Sequence, residues 1–312
     1  MEILSIGELI VEIMRKHVDD PLDVAADFIG PYPSGAPAIM ADQAARLGHS
    51  VGFIGAVGDD DFGLCLTRRL EEDGVDTSFI TRLPSPATGC AFVTYFSDGN
   101  RKFVFHIGNS AAGQMPEPDP RAFEGLKWLH VCGSTLSASQ DMREKCYRAC
   151  DLAVQAGAKV AFDPNLRPEL LGGEEALRRV CQPVLDRASL ILPSASEAEV
   201  LTGQTNAADA CQALLDGGCE VVALKRGADG CTVYAPGEAI EVPSFKVDAV
   251  DPTGAGDCFD GGFVTGLLEG LPLAEVARLA NACGALGAMQ KGPMEGAMWR
   301  EKVEAFIAER SQ

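Results

Sequence analysis

Residues 251–263 read DPTGAGDCFDGGF. Two aspartates flank a Gly-Ala-Gly turn, and the chain then runs into Phe259, Phe263, Val264, Leu267 and Leu268, the pattern of a loop feeding an amphipathic helix. A helix start presents unpaired backbone N–H groups and the positive end of its dipole, so Gly254, Ala255 and Gly256 offer a small anion site. Asp257 then stands beside whatever anion binds there. That is an awkward place for a carboxylate unless it must remove a proton from a group attacking the anion, which is what phosphoryl transfer requires. The same dipole is expected to keep Asp257 ionised in the free protein. A plainer reading stays open, in which Asp251 caps the helix and the glycines only permit a tight turn.

Outward from this stretch the chain alternates short apolar runs with helical ones. ILSIG at 3–7 and FIGAVG at 53–58 read as buried strands on either side of a helix from about 37 to 47. KWLHVCG at 127–133, KVAFDPN at 159–165, SLILPS at 189–194 and EVVALKRG at 220–227 continue the series, with helices expected through 139–156, 173–187, 196–202 and 206–217. This rhythm predicts an α/β fold with a mostly parallel sheet covered on both faces. Residues 9–33 and 87–107 break it with alternating strands, the second pair around the turn SDGN. They predict a small β-sheet lid over a core made of 1–8, 34–86 and 108–312; two edge hairpins without a gating role remain the alternative.

The 312 residues, 46% hydrophobic, suffice for one large domain with a small appendage. A net charge of −19 and the lack of a basic run argue against nucleic acid or an anionic membrane as partner, and for a small molecule. The 11 cysteines include no CxxC; Cys146 and Cys150 share a helix face but have no neighbours to complete a metal site, so all read as reduced core thiols of a cytoplasmic protein. MEILSIGELIVEIM lacks the basic start and cleavage site of a signal peptide, and no run of ~18 apolar residues suggests a membrane span. No GxxxxGK[ST] occurs, and GAVGDDDFG at 55–63 puts three acids where a dinucleotide fingerprint needs a pyrophosphate.

With those signatures excluded, six blocks in order carry a specific resemblance: PSGAPAIMADQAARLG at 33–48, VGDDDFG at 57–63, DPNLRPELL at 163–171, LPSASEAEVLTG at 192–203, LKRGADGC at 224–231 and DPTGAGDCFDGGF. Together they resemble the ribokinase-like, phosphofructokinase B type carbohydrate kinases over nearly the whole chain. The resemblance implies a three-layer α/β/α core with a β-sheet lid, and ATP with Mg²⁺ as cofactors. It makes Asp257 the base that takes a sugar hydroxyl's proton, while the N–H groups of Gly254, Ala255 and Gly256 hold the transferring phosphoryl group. It also implies nucleotide contacts at Ser194, Lys225, Gly227, Gly230 and Asn281, a Mg²⁺ site through water at Glu197, and K⁺ near Asp251, whose role as a helix cap stays open. Glu12, Gly35, Asn109 and Arg167 fall at the sugar side. His106 and His130 read as packing residues.

Several positions depart from the family pattern. Ser194 replaces the usual asparagine of Asn-x-x-Glu, Ile39 replaces the asparagine of the sugar loop, and Glu12 stands for an aspartate. DPNLR resembles the fructokinase and 2-keto-3-deoxygluconate kinase branch. The resemblance therefore implies an ATP-dependent kinase of a ketohexose such as fructose or tagatose, with a 2-keto-3-deoxygluconate kinase or a catalytically silent sugar- or nucleotide-binding regulator as alternatives. Val11, Ile13, Phe92 and Val104 are expected on the outer face of the lid, an apolar patch that predicts a homodimer through that sheet.

Overall fold

Short unbroken runs rich in Ile, Val, Leu and Phe build a sheet whose two faces are both dry. The computed structural model describes residues 1–167 and 171–310, so the end of the DPNLRPELL block lies outside the described residues. Its strands are β1 (Ile3–Ile6), β2 (Ile10–Arg15), β3 (Phe28–Ser34), β4 (Val51–Gly58), β5 (Val75–Asp76), β6 (Ile80–Leu83), β7 (Gly89–Tyr95), β8 (Arg101–His106), β9 (Trp128–Cys132), β10 (Lys159–Asp163), β11 (Ala188–Ile191), β12 (Val221–Lys225), β13 (Cys231–Ala235) and β14 (Glu238–Val242). Its helices are α1 (Ala36–Arg46), α2 (Asp61–Glu72), α3 (Gly133–Ala138), α4 (Gln140–Gln155), α5 (Glu174–Leu185), α6 (Ala195–Thr202), α7 (Ala207–Asp216), α8 (Ala255–Leu268), α9 (Leu273–Ala288) and α10 (Arg300–Glu309).

The large sheet has the order β14-β13-β12-β11-β10-β9-β1-β4-β5, with β6 also on β4. It is parallel from β12 to β5, and only the β12-β13-β14 edge is antiparallel. Neighbouring residues on one strand enter different cores: Ile3, Ala161, Leu190 and Ala223 join the core under α1, α8 and α9, while Leu4, Phe162, Ile191 and Leu224 join the one under α4 to α7. The result is the expected ribokinase-like three-layer architecture. No helix among the described residues is long and apolar enough to cross a membrane.

A separate four-stranded sheet has the order β3-β2-β7-β8. Its middle pair, β2 and β7, is parallel, which joins the two sequence-distant pieces, and β3 and β8 close it antiparallel. The buried Arg15 guanidinium donates to the carbonyls of Pro21, Val24 and Ala26 and lies 4.0 Å over the Phe28 ring, fixing the long connection between β2 and β3. On the outer face Phe28 and Val104 are each 41% exposed, and Ile13 and Phe92 are partly covered. Val11 departs from expectation: it is wholly buried in the main core.

Candidate active site

Because the central strands are parallel, their carboxyl ends converge on one edge of the sheet, and the side chains just beyond them can meet. Asp163 ends β10, Lys225 ends β12, and Glu8, Ser134 and Ser194 follow β1, β9 and β11. A cavity of about 690 Å³ opens there, walled on the other side by Ile10, Glu12, Phe103 and Phe105 of the small sheet.

The turn of residues 254–256 forms one wall. Gly254 has φ +81°, and a Cβ there would come within 2.2 Å of the Pro293 carbonyl, so the turn that starts α8 demands glycine. Gly254, Gly256 and Asp257 line the cavity, while Ala255 contributes the first turn of α8 without reaching the wall. Asp257 is half-buried. Its ionisation differs from expectation: burial first, then the nearby Asp163 carboxylate, push its pKa up to about 7, against the pull of Lys225 and Arg167. The helix dipole does not decide this group; its desolvation does.

Behind Asp257 lies a buried charge cluster. Lys225 Nζ donates to Asp163 Oδ1 at 3.0 Å and to Asp260 Oδ1 and Oδ2 at 3.2 and 3.3 Å. Burial alone would lower the Lys225 pKa, but the two aspartates outweigh it and raise it. Nearby His130 is buried and held down to about 4 by desolvation. Its Nδ1 lies 3.0 Å from Ser5 Oγ, which donates to the Pro37 carbonyl, so His130 is the donor and packs as expected. His106 instead sits on the exposed face of the small sheet, edge-on to Phe92.

Toward the small sheet, Glu12 is buried; Ser34 Oγ donates to its Oε1 at 2.7 Å, and Oε2 has no partner. Burial raises its pKa to about 7, opposed by the Ser34 bond. Gly35, at φ +115°, would place a Cβ 2.4 Å from the Glu8 carbonyl, so this close approach also requires glycine. Arg167 lines the cavity and donates to the Leu166 carbonyl at 3.1 Å. Asn109 is exposed and off the cavity wall; the wall is made by its neighbours Ile107 and Gly108, where β8 returns to the core. Ile39, in place of a polar residue, lines the cavity with its side chain largely in the core.

Two wall residues, Glu8 and Asn165, and the buried Asp260 behind the wall escaped the sequence reading. Glu8, buried, accepts from Ser134 Oγ at 2.6 Å and from Thr135 Oγ1, and burial raises its pKa. An acid placed directly after the strand glycine of GELIV is the signal that could have marked it. Asn165 takes φ +36°, a conformation that costs a non-glycine residue, at the cavity edge. Asp260 looks in sequence like one more residue of α8.

At the far end, Ser194 and Glu197 line the cavity. Ser194 N–H and Oγ both donate to Glu197 Oε2 at 2.8 Å, a capping arrangement for α6, and Leu166 N–H donates to Oε1 at 3.0 Å. Serine in place of asparagine thus serves the helix. Gly227 and Gly230 lie off the wall; a Cβ on Gly230 would meet the Val242 carbonyl at 2.2 Å, so its closeness is to the chain itself. Asn281 is also off the wall, its amide donating to the Val242 and Pro243 carbonyls. Asp251 is buried, and each of its carboxylate oxygens accepts twice: Thr253 N–H and Tyr95 O–H at Oδ1, Gly292 N–H and the same Tyr95 O–H at Oδ2. Tyr95 belongs to β7, so the small sheet is bonded to the loop that carries the anion turn; Arg101 of β8 adds a 2.8 Å bond to Thr253 Oγ1.

A glycine turn at a helix start with a carboxylate beside it thus lies at the sheet's carboxyl edge, under a second small sheet. Residues 1–300 match the model of the pfkB family carbohydrate kinases. The chain belongs to that family. This kinase is 34% identical over 302 residues to a fructokinase of Escherichia coli, covering 95% of this chain and 98% of that one. Among solved structures it superimposes on a ribokinase II-like protein of E. coli in complex with ATP and Mg²⁺, with a TM-score of 0.94, 38% identity and 99% of each chain covered. A Vibrio cholerae fructokinase bound to fructose, ADP and calcium follows at a TM-score of 0.83 and 28% identity, with 98% of each chain covered. The protein is an ATP-dependent sugar kinase.

Proposed function

We propose that this kinase transfers the γ-phosphoryl group of ATP to a hydroxyl of a neutral ketohexose, fructose- or tagatose-like, with Asp257 as the base. The acid balance at the sugar end of the cavity carries the choice. Glu8 and Glu12 are both buried on that wall, and Arg167 lies close enough to Glu8 to offset its charge. Arg101 also lines the cavity, giving one N–H to Thr253 Oγ1 and partly offsetting the charge of Glu12. Two carboxylates favour a ligand rich in hydroxyl donors and oppose a sugar acid such as 2-keto-3-deoxygluconate. The fructokinase relatives support the same choice.

In this reading the sugar hydroxyl attacks the γ-phosphorus, the bond from that phosphorus to ADP breaks and ADP leaves, the hydroxyl proton passes to Asp257, and the N–H groups of Gly254 and Gly256 receive the charge of the transferring group. The small sheet acts as a lid that excludes water. Mg²⁺ fits the wall: Glu197 Oε1 accepts one hydrogen bond and keeps a lone pair for a metal-bound water. When bound with ATP, the ion lowers the negative charge that the incoming hydroxyl must approach. A monovalent cation would have to share Asp251 with three donors already on it: Thr253 N–H, Gly292 N–H and one Tyr95 O–H lying between both carboxylate oxygens. Pairing of two copies through the outer face of the lid belongs to the same proposal, supported by exposed Phe28 and Val104.

The test is a panel of ketohexoses, aldohexoses and sugar acids assayed for ADP release, with Asp257→Asn alongside. Fructose or tagatose should give the highest kcat/KM, and the variant should lose at least ~10²-fold in kcat with its ATP affinity kept. A sugar acid at the head of the panel would overturn the substrate; wild-type turnover by the variant would overturn the base.

A further inference from the structure

Resting on Asp257 as the base, we propose that Lys225 is its positioning residue: Asp163 and Asp260 clamp the ammonium at one point beneath the anion turn, and its fixed charge keeps the Asp257 carboxylate ready to take the hydroxyl proton. The geometry comes from three elements. Asp163 is delivered by β10, Lys225 by β12 and Asp260 by α8, three residues after Asp257 and so on the same helix face. Carboxylate oxygens of Asp163, Asp257 and Asp260 all lie within 4.8 Å of one another. Such a trio is a possible cation site, and the chain already supplies the cation. Lys225 Nζ is bonded to two of the three acids, and the nearest atom to a Cβ built on Gly256 is this same Nζ, at 3.8 Å. The ammonium therefore lies directly under the turn rather than out along a nucleotide.

Three carboxylates so close together, two of them fully buried, cannot all be charged beside one ammonium. Burial pushes Asp260 well above the usual carboxylate range; Asp163, despite its burial, is held low by Lys225 and by a hydrogen bond from Asp260. Lys225 and Asp163 then form the ion pair, with Asp260 the weaker acid beside them. That leaves Asp257 as the acid that titrates near neutrality. The charges facing it are Asp163 and Glu8, which hold its proton on, and Lys225 and Arg167, which drive it off; the Cys132 thiol from β9, its pKa raised by burial, stays neutral. Removing Lys225 should make Asp257 harder to ionise, and removing Asp163 easier.

The experiment is the pH dependence of kcat at saturating sugar and ATP for Lys225→Met, Lys225→Arg, Asp163→Asn and Asp257→Asn. Lys225→Met should move the acid limb up by about one pH unit, a ~10-fold loss of rate below neutrality. Lys225→Arg should recover most of that shift. Asp163→Asn should move the limb the opposite way, to lower pH, so each variant tests the cluster even if the other fails to fold. A limb superimposable on wild type in a folded Lys225→Met or Asp163→Asn overturns the clamp. Wild-type turnover in Asp257→Asn would instead remove the base on which the clamp is argued, so the two failures are separable.

Discussion

Replacing Glu12 with glutamine tests the sugar end of the cavity with almost no change of shape. Oε1 accepts from Ser34, and a glutamine carbonyl can keep that 2.7 Å bond. Oε2 is buried without a partner, a state that a sugar hydroxyl would relieve by donating to it. In Glu12→Gln an amide NH₂ stands there and cannot accept. The loss is one hydrogen bond to a charged acceptor, about 1.5–3 kcal/mol, which at 1.36 kcal/mol per tenfold raises the sugar KM by ~10- to ~100-fold. Asp257 and the anion turn are untouched, so kcat should stay within ~3-fold and the ATP KM should not move. The pH dependence gives a second readout. Burial raises the Glu12 pKa to about 7, so in the free enzyme the carboxylate gains a proton as pH falls through that value. The wild-type sugar KM should then rise below neutrality, while that of Glu12→Gln should lose this dependence. Initial rates with coupled ADP detection, varying each substrate at saturating levels of the other between about pH 5.5 and 8.5, measure both. An unchanged sugar KM with a raised ATP KM would put the sugar at the wrong end of the cavity.

Tyr95→Phe removes the hydroxyl that ties the lid to Asp251 and Thr253; kcat should fall ~10-fold as the anion turn loosens, and sugar-independent ATP hydrolysis should rise, both visible in the same ADP assay. Arg69→Met leaves the fully buried Asp42 and nearly buried Asp73 with Arg46 as their remaining cation; unfolding in urea should show a loss of about 3 kcal/mol, and an unchanged midpoint would mean the network stabilises nothing. If two copies pair through the outer face of the small sheet as proposed, Val104→Glu puts a charge into that face, so light scattering should report a dimer for the wild type and a monomer for the variant, with the melting temperature little changed.

The strand–helix rhythm made the core legible because parallel strands buried on both faces must be apolar throughout, a pattern that survives in the sequence whatever the tertiary context. The small sheet was legible for the opposite reason: one face lies over the cavity and one looks outward, so its strands alternate. Val11 broke that alternation, since where β2 leaves the core its outward side is still covered and burial no longer follows the period of two. The antiparallel edge β13-β14 does not follow from the rhythm at all. Its signal is local, the Pro236-Gly237 turn between two short runs. Helix α3 is short and spelled GSTLSA, weak in helix formers, and forms where β9 ends against the DPN loop.

The site divides in the same way between local and assembled features. The anion turn could be read because its chemistry is contiguous: Gly254 must bend, the N–H groups must point out, and Asp257 must follow. The charge state of that aspartate could not, because it is set first by burial and then by Asp163 and Lys225, which arrive from β10 and β12 and meet it only once the strand order is known. Asn109 fails for a related reason. A polar residue at the end of a lid strand has the right neighbourhood in sequence, yet the backbone turns one residue earlier and gives the wall to Gly108. In the proposed mechanism the motif supplies the base, and its strength follows from where the sheet topology sets Lys225 and Asp163. Substitutions at those two positions should therefore alter the pH at which the kinase works while leaving the GAGD turn intact.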